Sequence, residues 1–339
     1  MWPPGRPADR RAFPGADDSM KISERQFVER LRRKARRHAS RGSKSLILRR
    51  GIGDDCAVFS GSGRMDLLVT TDLLLEGIHF RREWQEAESV GYKTLARGLS
   101  DIAAMGGMPR YAFLSLALPA GTSSRWVDDF FKGLFRLADS SGVTLAGGDT
   151  AASQSGIVAD IMVIGEIAKG QAILRSGARP SDEIWVSGEL GGAAAALHLL
   201  RQGKRIAKRG ERLRPLFYPQ PRLALGRLLC RRGLASAMMD LSDGLSIDLA
   251  RLCESSSAGA RIDAESIPKH RLASWNQALH GGEDFELLFT VPATRSTKVP
   301  KLVDGVRLTR IGEVRRGRQL RLRREDKEIP LPVLGFEHF

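Results

Sequence analysis

The chain has 339 residues, 42% hydrophobic and 27% charged, which suits about two domains of roughly 150 residues each and argues against wholesale disorder. Its formal net charge of +15 is uneven: residues 1–50 hold 15 Lys/Arg against 5 Asp/Glu, residues 298–328 hold 11 against 5, and the remainder is nearly balanced. No window approaches the ~18 apolar residues of a membrane span, the start lacks the apolar core of a secretory signal, and three scattered cysteines (Cys56, Cys230, Cys253) without a CxxC pair argue against a disulfide framework or a zinc site and fit a reducing cytoplasm.

Residues 1–21, rich in Pro, Gly, Arg and Asp, read as a disordered basic extension, with Met20 an alternative start. Ser23 to about Arg37 predicts a helix, because Phe27 and Leu31 are spaced i, i+4; a polar, basic linker follows. Asp66–Thr71 predicts a strand. Glu88–Met105 predicts a helix with Leu95, Leu99 and Ile102 on one face. Phe113–Leu118 and Val143–Ala146 predict strands flanking a helix over Trp126–Ala138, and Ile157–Ile167 predicts another strand. After the Gly/Pro/Ser stretch Arg175–Asp182 the pattern restarts, with strands at Ile184–Ser187, Ala237–Asp240, Glu286–Val291 and Arg307–Val314. Helices are expected at Ala193–Arg201, Arg222–Arg231 and around Leu245, Leu249 and Leu252. Strands alternating with helices argue for α/β and α+β architecture, with domains over residues 22–172 and 173–339.

The aspartates fall in a pattern. Gly51–Asp55 is a Gly-rich turn with paired carboxylates, and Thr70-Thr71-Asp72 closes an apolar run. Leu99-Ser100-Asp101 lies inside a helix, and Gly147–Thr150 follows a strand. Met239–Gly244 joins strand to helix, and Gly281–Asp284 precedes a strand. Five of these six clusters sit at expected ends of elements, where side chains can converge. Converging carboxylates resist ionisation unless cations sit among them. Mg²⁺ prefers oxygen ligands and keeps substrate phosphates in its shell, and adjacent glycines let backbone N–H groups approach phosphate oxygens. The combination points to Mg²⁺–polyphosphate chemistry, yet GxxxxGK[ST], GxGxxG and kinase HRD…DFG motifs are absent.

These motifs resemble those of thiamine-monophosphate kinases. The segments GIGDDCAVF (51–59), TTDLLLEGIHF (70–80), GYKTLARGLSDIAAMGG (91–107), GGDT (147–150), RSGARPSD (175–182), MDLSDGLSIDL (239–249) and GGEDFELL (281–288) follow the family order across residues 22–339, and the closing Gly335–Phe339 is similar to its C-terminal signature. The resemblance implies ATP-dependent phosphorylation of thiamine monophosphate to thiamine diphosphate. It implies the two-domain fold of the aminoimidazole ribonucleotide synthetase superfamily, with an N-terminal ATP- and Mg²⁺-binding domain whose sheet pairs across a homodimer. By motif match, Asp55, Thr70, Thr71, Asp72, Asp101, Asp149, Asp240 and Asp243 would bind several Mg²⁺ ions. Gly148, Asp149, Arg175 and Ser242 would contact ATP; His79, Glu283 and Phe336 would line the thiamine-phosphate site. Two departures stand out: Cys56 where Ala is common, and Arg97-Gly98 where Val-Asn is common.

The acceptor in this reading is a phosphate monoester, largely a dianion at neutral pH. It needs no general base, so the expected mechanism is direct in-line transfer without a phosphoenzyme, driven by positioning and charge neutralisation. His79 is then expected to contact substrate rather than to move a proton. Two alternatives stand beside this reading: another ATP-dependent enzyme of the superfamily, and a non-enzymatic basic RNA-associated relative. Nucleic acid is not the expected partner, because Arg30–Arg50 lacks the interleaved aromatics of single-strand binders, and neither is a membrane, because no window is long and apolar enough to span one.

Overall fold

Burial alternates strictly along Met65–Leu75 and Val158–Ala168, as expected of strands with one covered face. In the computed structural model, which describes residues 23–38, 46–203 and 210–338, these strands are the centre of a six-stranded sheet. Its members are β1 (Leu46–Arg50), β2 (Ala57–Gly61), β3 (Met65–Leu75), β4 (Met108–Pro119), β5 (Thr144–Ser153) and β6 (Val158–Ala168), in the order β1-β2-β3-β6-β4-β5. All neighbours are antiparallel except β4 and β5, whose parallel pairing needs the crossover that a helix supplies. Besides α1 (Glu24–His38), two helices belong to this half, α2 (Ala87–Ala104) and α3 (Ser124–Ser141).

Helix α2 lies on the sheet. Leu95, Leu99 and Ile102 are buried with Leu68, Leu74, Ile161 and Val163. Helix α3 crosses α2 so closely that a Cβ on Gly91 would lie 1.8 Å from the Phe130 carbonyl oxygen, and one on Gly133 would lie 1.7 Å from that of Glu88. Glycine is required at both points. The opposite face of the sheet is open. Leu48, Phe59 and Leu67 share one row across the strands, and Val69, Ile164 and Tyr111 share another; Tyr111 is 50% exposed and Leu48 53%.

The second half contains β7 (Glu183–Ser187), β8 (Ala237–Asp240), β9 (Gly259–Asp263), β10 (Leu287–Val291), β11 (Leu302–Val303), β12 (Val306–Arg315), β13 (Leu320–Arg324) and β14 (Lys327–Pro330). Seven run β14-β13-β9-β12-β7-β10-β8, and β11 pairs with β12. The helices are α4 (Gly192–Arg201), α5 (Arg214–Phe217), α6 (Leu223–Arg231), α7 (Leu245–Ser255) and α8 (Trp275–His280). Both faces of this sheet are covered. Leu245, Leu249 and Leu252 of α7 pack with Val186, Leu288 and Ile311, while Leu225 and Leu229 of α6 pack with Met238, Phe289 and Ala103–Ala104 from the end of α2. Helix α2 thus touches both halves.

Several expectations are corrected. The basic linker after the first helix includes strand β1 at its end. Thr70–Asp72 does not close a strand; β3 runs on to Leu75, completing eleven paired positions with β6. Gly147–Thr150 lies inside β5 rather than after it, because β4 continues to pair with β5 as far as Ser153. Of the cysteines, whose isolation reads as that of small buried hydrophobes, Cys56 and Cys253 are buried but Cys230 is half-buried. The extension expected over residues 1–21 lies outside the described residues.

Candidate active site

Three carboxylates meet between the halves. Asp55 comes from the turn before β2, Asp101 from α2, and Asp240 from the end of β8. An oxygen of each lies within 4.8 Å of the others. Thr70 Oγ1 donates to Asp101 Oδ2 at 2.5 Å, and Ser100 Oγ donates to Asp240 Oδ2 at 2.7 Å. Arg175, from the segment linking the halves, donates through Nη2 to Asp55 Oδ1 at 2.7 Å and through its backbone N–H to Asp54 Oδ1 at 2.8 Å. This leaves Asp55 Oδ2 buried without a partner.

The electrostatics follow from that geometry. Burial, reinforced by Asp240, Asp72 and Asp55, pushes Asp101 well above the usual carboxylate range. Burial and Asp55 push Asp240 up to about 8. Burial raises Asp54 to about 6. Hard oxygen donors, mutual repulsion and an orphaned buried oxygen fit a divalent cation. Burial also raises the Cys56 thiol, so its sulfur is not an available nucleophile.

The other end of the cleft is compensated. Lys93, Arg97 and Asp101 are spaced i, i+4 along α2 and share a face. The Lys93 ammonium is 2.7 Å from Glu283 Oε1, and both side chains are buried. Arg97 Nη2 donates to Asp72 Oδ1 at 2.5 Å, and Nη1 reaches Glu283 Oε1 at 3.5 Å. Burial works against the Glu283 charge, but Lys93 and Arg97 hold its carboxyl well below the usual range. Glu283 and Phe285 adopt positive φ values of 68° and 50°. Their loop is zipped onto residues 241–242, since Glu283 N–H donates to Ser242 O at 2.8 Å and Phe285 N–H to Leu241 O at 2.9 Å. The unfavourable backbone is held by its surroundings.

His79 is neutral in this site. Leu75 N–H donates to its Nδ1 at 2.9 Å, which assigns the proton to Nε2. Nε2 is buried without a partner. Burial, with Arg97 and Lys93 nearby, lowers its pKa to about 2. His79 therefore has a hydrogen bond to give and no basicity to use near neutrality.

The remaining expected residues are less concentrated. Asp243 pairs with Arg251, which also donates to Asp248 Oδ1 at 2.9 Å. Phe336 N–H donates to Asp243 O at 3.3 Å, and the Phe336 ring lies 4.8 Å from that of His338, itself 5.3 Å from that of His79. Thr71 and Asp72 line a cavity of about 380 Å³ with Leu73, Arg97, Asp160 and His338. Gly148 and Asp149 lie on exposed edge strand β5, where Asp149 Oδ1 accepts from Thr150 N–H. Among the described residues no hydrogen bond or ion pair is seen to join them to the three carboxylates. A larger cavity, about 610 Å³, is lined by Tyr92, Arg136 and Tyr218 among others and shares no residue with the carboxylate cluster.

Sequence reasoning missed Lys93, Arg97, Asp160 and His338 as lining groups. The i, i+4 relation of Lys93 and Arg97 to Asp101 was the available signal for the first two; nothing local marks Asp160 or His338.

Family models agree with this architecture. The AIR synthase related protein N-terminal domain matches residues 53–167, and the AIR synthase related protein C-terminal domain matches residues 179–325. The thiamine-monophosphate kinase of Bacillus subtilis (strain 168) is 35% identical over 303 residues, covering 85% of this chain and 93% of that protein. This chain belongs to the thiamine-monophosphate kinase family. The Escherichia coli (strain K12) member is 35% identical over 313 residues, covering 88% of this chain and 94% of that protein. Among solved structures, AaThiL complexed with AMPPCP and TMP matches with a TM-score of 0.81 at 29% identity, covering 95% of this chain and 100% of that chain. Hydrogenase maturation protein HypE, at 19% identity and a TM-score of 0.66, shares the fold.

Proposed function

We propose that this family member phosphorylates thiamine monophosphate with ATP, giving thiamine diphosphate and ADP. The observation that carries the reading is the meeting of Asp55, Asp101 and Asp240 within 4.8 Å of one another, with a neutral His79 and a buried Glu283 at the other end of the cleft. Kinship with proteins named for this activity, and with AaThiL complexed with AMPPCP and TMP, supports it.

Asp55, Asp101 and Asp240 would hold Mg²⁺, with Thr70, Thr71, Asp149 and Asp243 as further ligands, direct or through water, and Asp72 through the oxygen that Arg97 leaves free. When bound, the ions supply charge neutralisation between two polyanions. Arg175 would bind nucleotide phosphate beside Asp55, and Ser242 would lie against the nucleotide. Gly148 and Asp149, on an exposed strand edge, would offer backbone N–H groups to polyphosphate. His79 would donate Nε2–H to the substrate; Glu283 and Phe336 would border its thiamine portion. The acceptor phosphate is already ionised, and His79 holds no available base, so the transfer is direct and in line. The chain divides near residue 172, with most of the metal ligands on the first half and the nucleotide contacts shared by both.

The open face of the first sheet supports a homodimer. Its apolar rows, including Leu48, Leu67 and Tyr111, are what a second copy would cover. Among the described residues no helix is long and apolar enough to cross a membrane, and the setting we propose is the cytoplasm. The deciding experiment is incubation with ATP, Mg²⁺ and thiamine monophosphate, assayed for thiamine diphosphate and ADP. Product from thiamine monophosphate but not from thiamine is expected; ATP turnover without thiamine diphosphate would overturn the assignment.

A further inference from the structure

We infer that Arg97 is a protein-borne cation that takes the place of a divalent ion at Asp72. The inference rests on the reading of the cleft as a divalent-cation site. The two ends of the cleft both gather carboxylates, tightly at Asp55, Asp101 and Asp240 and more loosely around Asp72, and they are neutralised differently. Asp72 faces Glu283 and Asp243 as well as Arg97, and Asp160 lines the same cavity. A divalent ion would be the expected counter-charge for such a group. Instead the Arg97 guanidinium is buried against it, with Nη2 on Asp72 Oδ1 and Nη1 toward Glu283 Oε1.

The contact has consequences for ligand capacity. A guanidinium remains protonated throughout the working pH range, so its charge does not depend on free Mg²⁺. With one oxygen engaged by Arg97, Asp72 has one oxygen left for any ion. The cavity beside it, about 380 Å³, has room for a hydrated ion once the guanidinium is gone. Arg97 also ties β3, through Asp72, to the Glu283 loop of the second half. It fixes the charge at the junction of the two halves without an exchangeable ion. Arg97 is a positioning residue in this scheme, since it acts through Asp72 and Glu283.

The test counts ions directly. Mn²⁺ binding to the full chain, without nucleotide, is measured by the electron paramagnetic resonance signal of free Mn²⁺. Wild type is compared with Arg97→Met, Arg97→Gln and Arg97→Lys. The neutral variants are expected to bind one more Mn²⁺ per chain than wild type, and the lysine variant the same number as wild type. Arg97→Gln keeps a donor for Asp72, which guards against loss of folding; thermal melts confirm that each protein is folded. An unchanged count in folded neutral variants would overturn the inference, and so would an extra ion in Arg97→Lys. If wild type binds Mn²⁺ but the counts do not change, only the role of Arg97 fails. If wild type binds none, the cation reading of the whole cleft fails with it.

Discussion

The two ends of the cleft solve the same electrostatic problem in opposite ways. At the Asp55–Asp101–Asp240 end, carboxylates from both halves meet with Arg175 as the one cation paired to them among the described residues, and burial raises the pKa of Asp101 and Asp240. At the Asp72–Glu283 end, Lys93 and Arg97 supply charge from within the fold. The first end is poised to take cations from solution. The second carries its own cations as folded and leaves Asp72 one oxygen for an ion. A site that must admit exchangeable ions carries its instability where those ions bind, and its rigidity one helical turn away.

The contrast breaks most sharply by removing charge at each end. Asp101→Asn should lower turnover by at least about 10²–10³-fold, the scale of losing a preorganised electrostatic contact. The same change should leave the metal-free protein at least as stable at neutral pH, because it removes repulsion. Steady-state kinetics and thermal melts together check the opposite signs. Glu283→Gln should do the reverse to stability, costing about 3–5 kcal/mol because Lys93 is left buried without its partner. Urea denaturation reads that loss, and adding Lys93→Met should recover part of it.

Smaller effects sharpen the comparison. His79→Ala should raise KM for thiamine monophosphate about 10-fold, the worth of one hydrogen bond, with a smaller change in kcat. Its pH–rate profile near neutrality should not shift, since the His79 pKa lies at about 2; loss of an acidic limb present in wild type would restore a general-base scheme. Mg²⁺ should also stabilise the two pH regimes unequally. Asp240 titrates at about 8 in the folded protein and near ~3.9 unfolded, so the folded state holds a proton that the unfolded chain has lost between about pH 4 and 8. Metal-free stability therefore falls as pH rises through that window. The gain in Tm on adding Mg²⁺ should be larger at about pH 8 than at about pH 5.5, and an equal gain would mean that the cluster does not bind the ion.

Most of the fold was legible wherever periodicity was strong. The α2 stripe of Leu95, Leu99 and Ile102, and the run Ile157–Ile167, announce a helix and a strand from spacing alone. Strand β5 was cut short because Thr144–Ser153 carries two glycines and little alternation; its length comes from pairing with β4, which local sequence does not show. Strand β1 hid inside a basic run for the same reason. In the site, the Asp-rich motifs pointed to the carboxylate cluster through composition and order. Arg97 showed as a departure from the family pattern and as a neighbour of Asp101 one helical turn away; its bonds to Asp72 and Glu283 require the two halves to be brought together. His338 reaches the cleft from the far end of the chain, a distance no spacing rule spans.

The glycine contacts at Gly91 and Gly133 have a mechanical corollary. With backbone lying on backbone where α2 crosses α3, α2 cannot slide along its axis or roll without collision, and it bears Lys93, Arg97 and Asp101 like teeth on a fixed rack. The charged face of α2 therefore keeps a fixed position relative to α3. Gly133→Ala, a methyl group far from any phosphate, should jam the register and slow the chemistry as surely as damage to the teeth themselves.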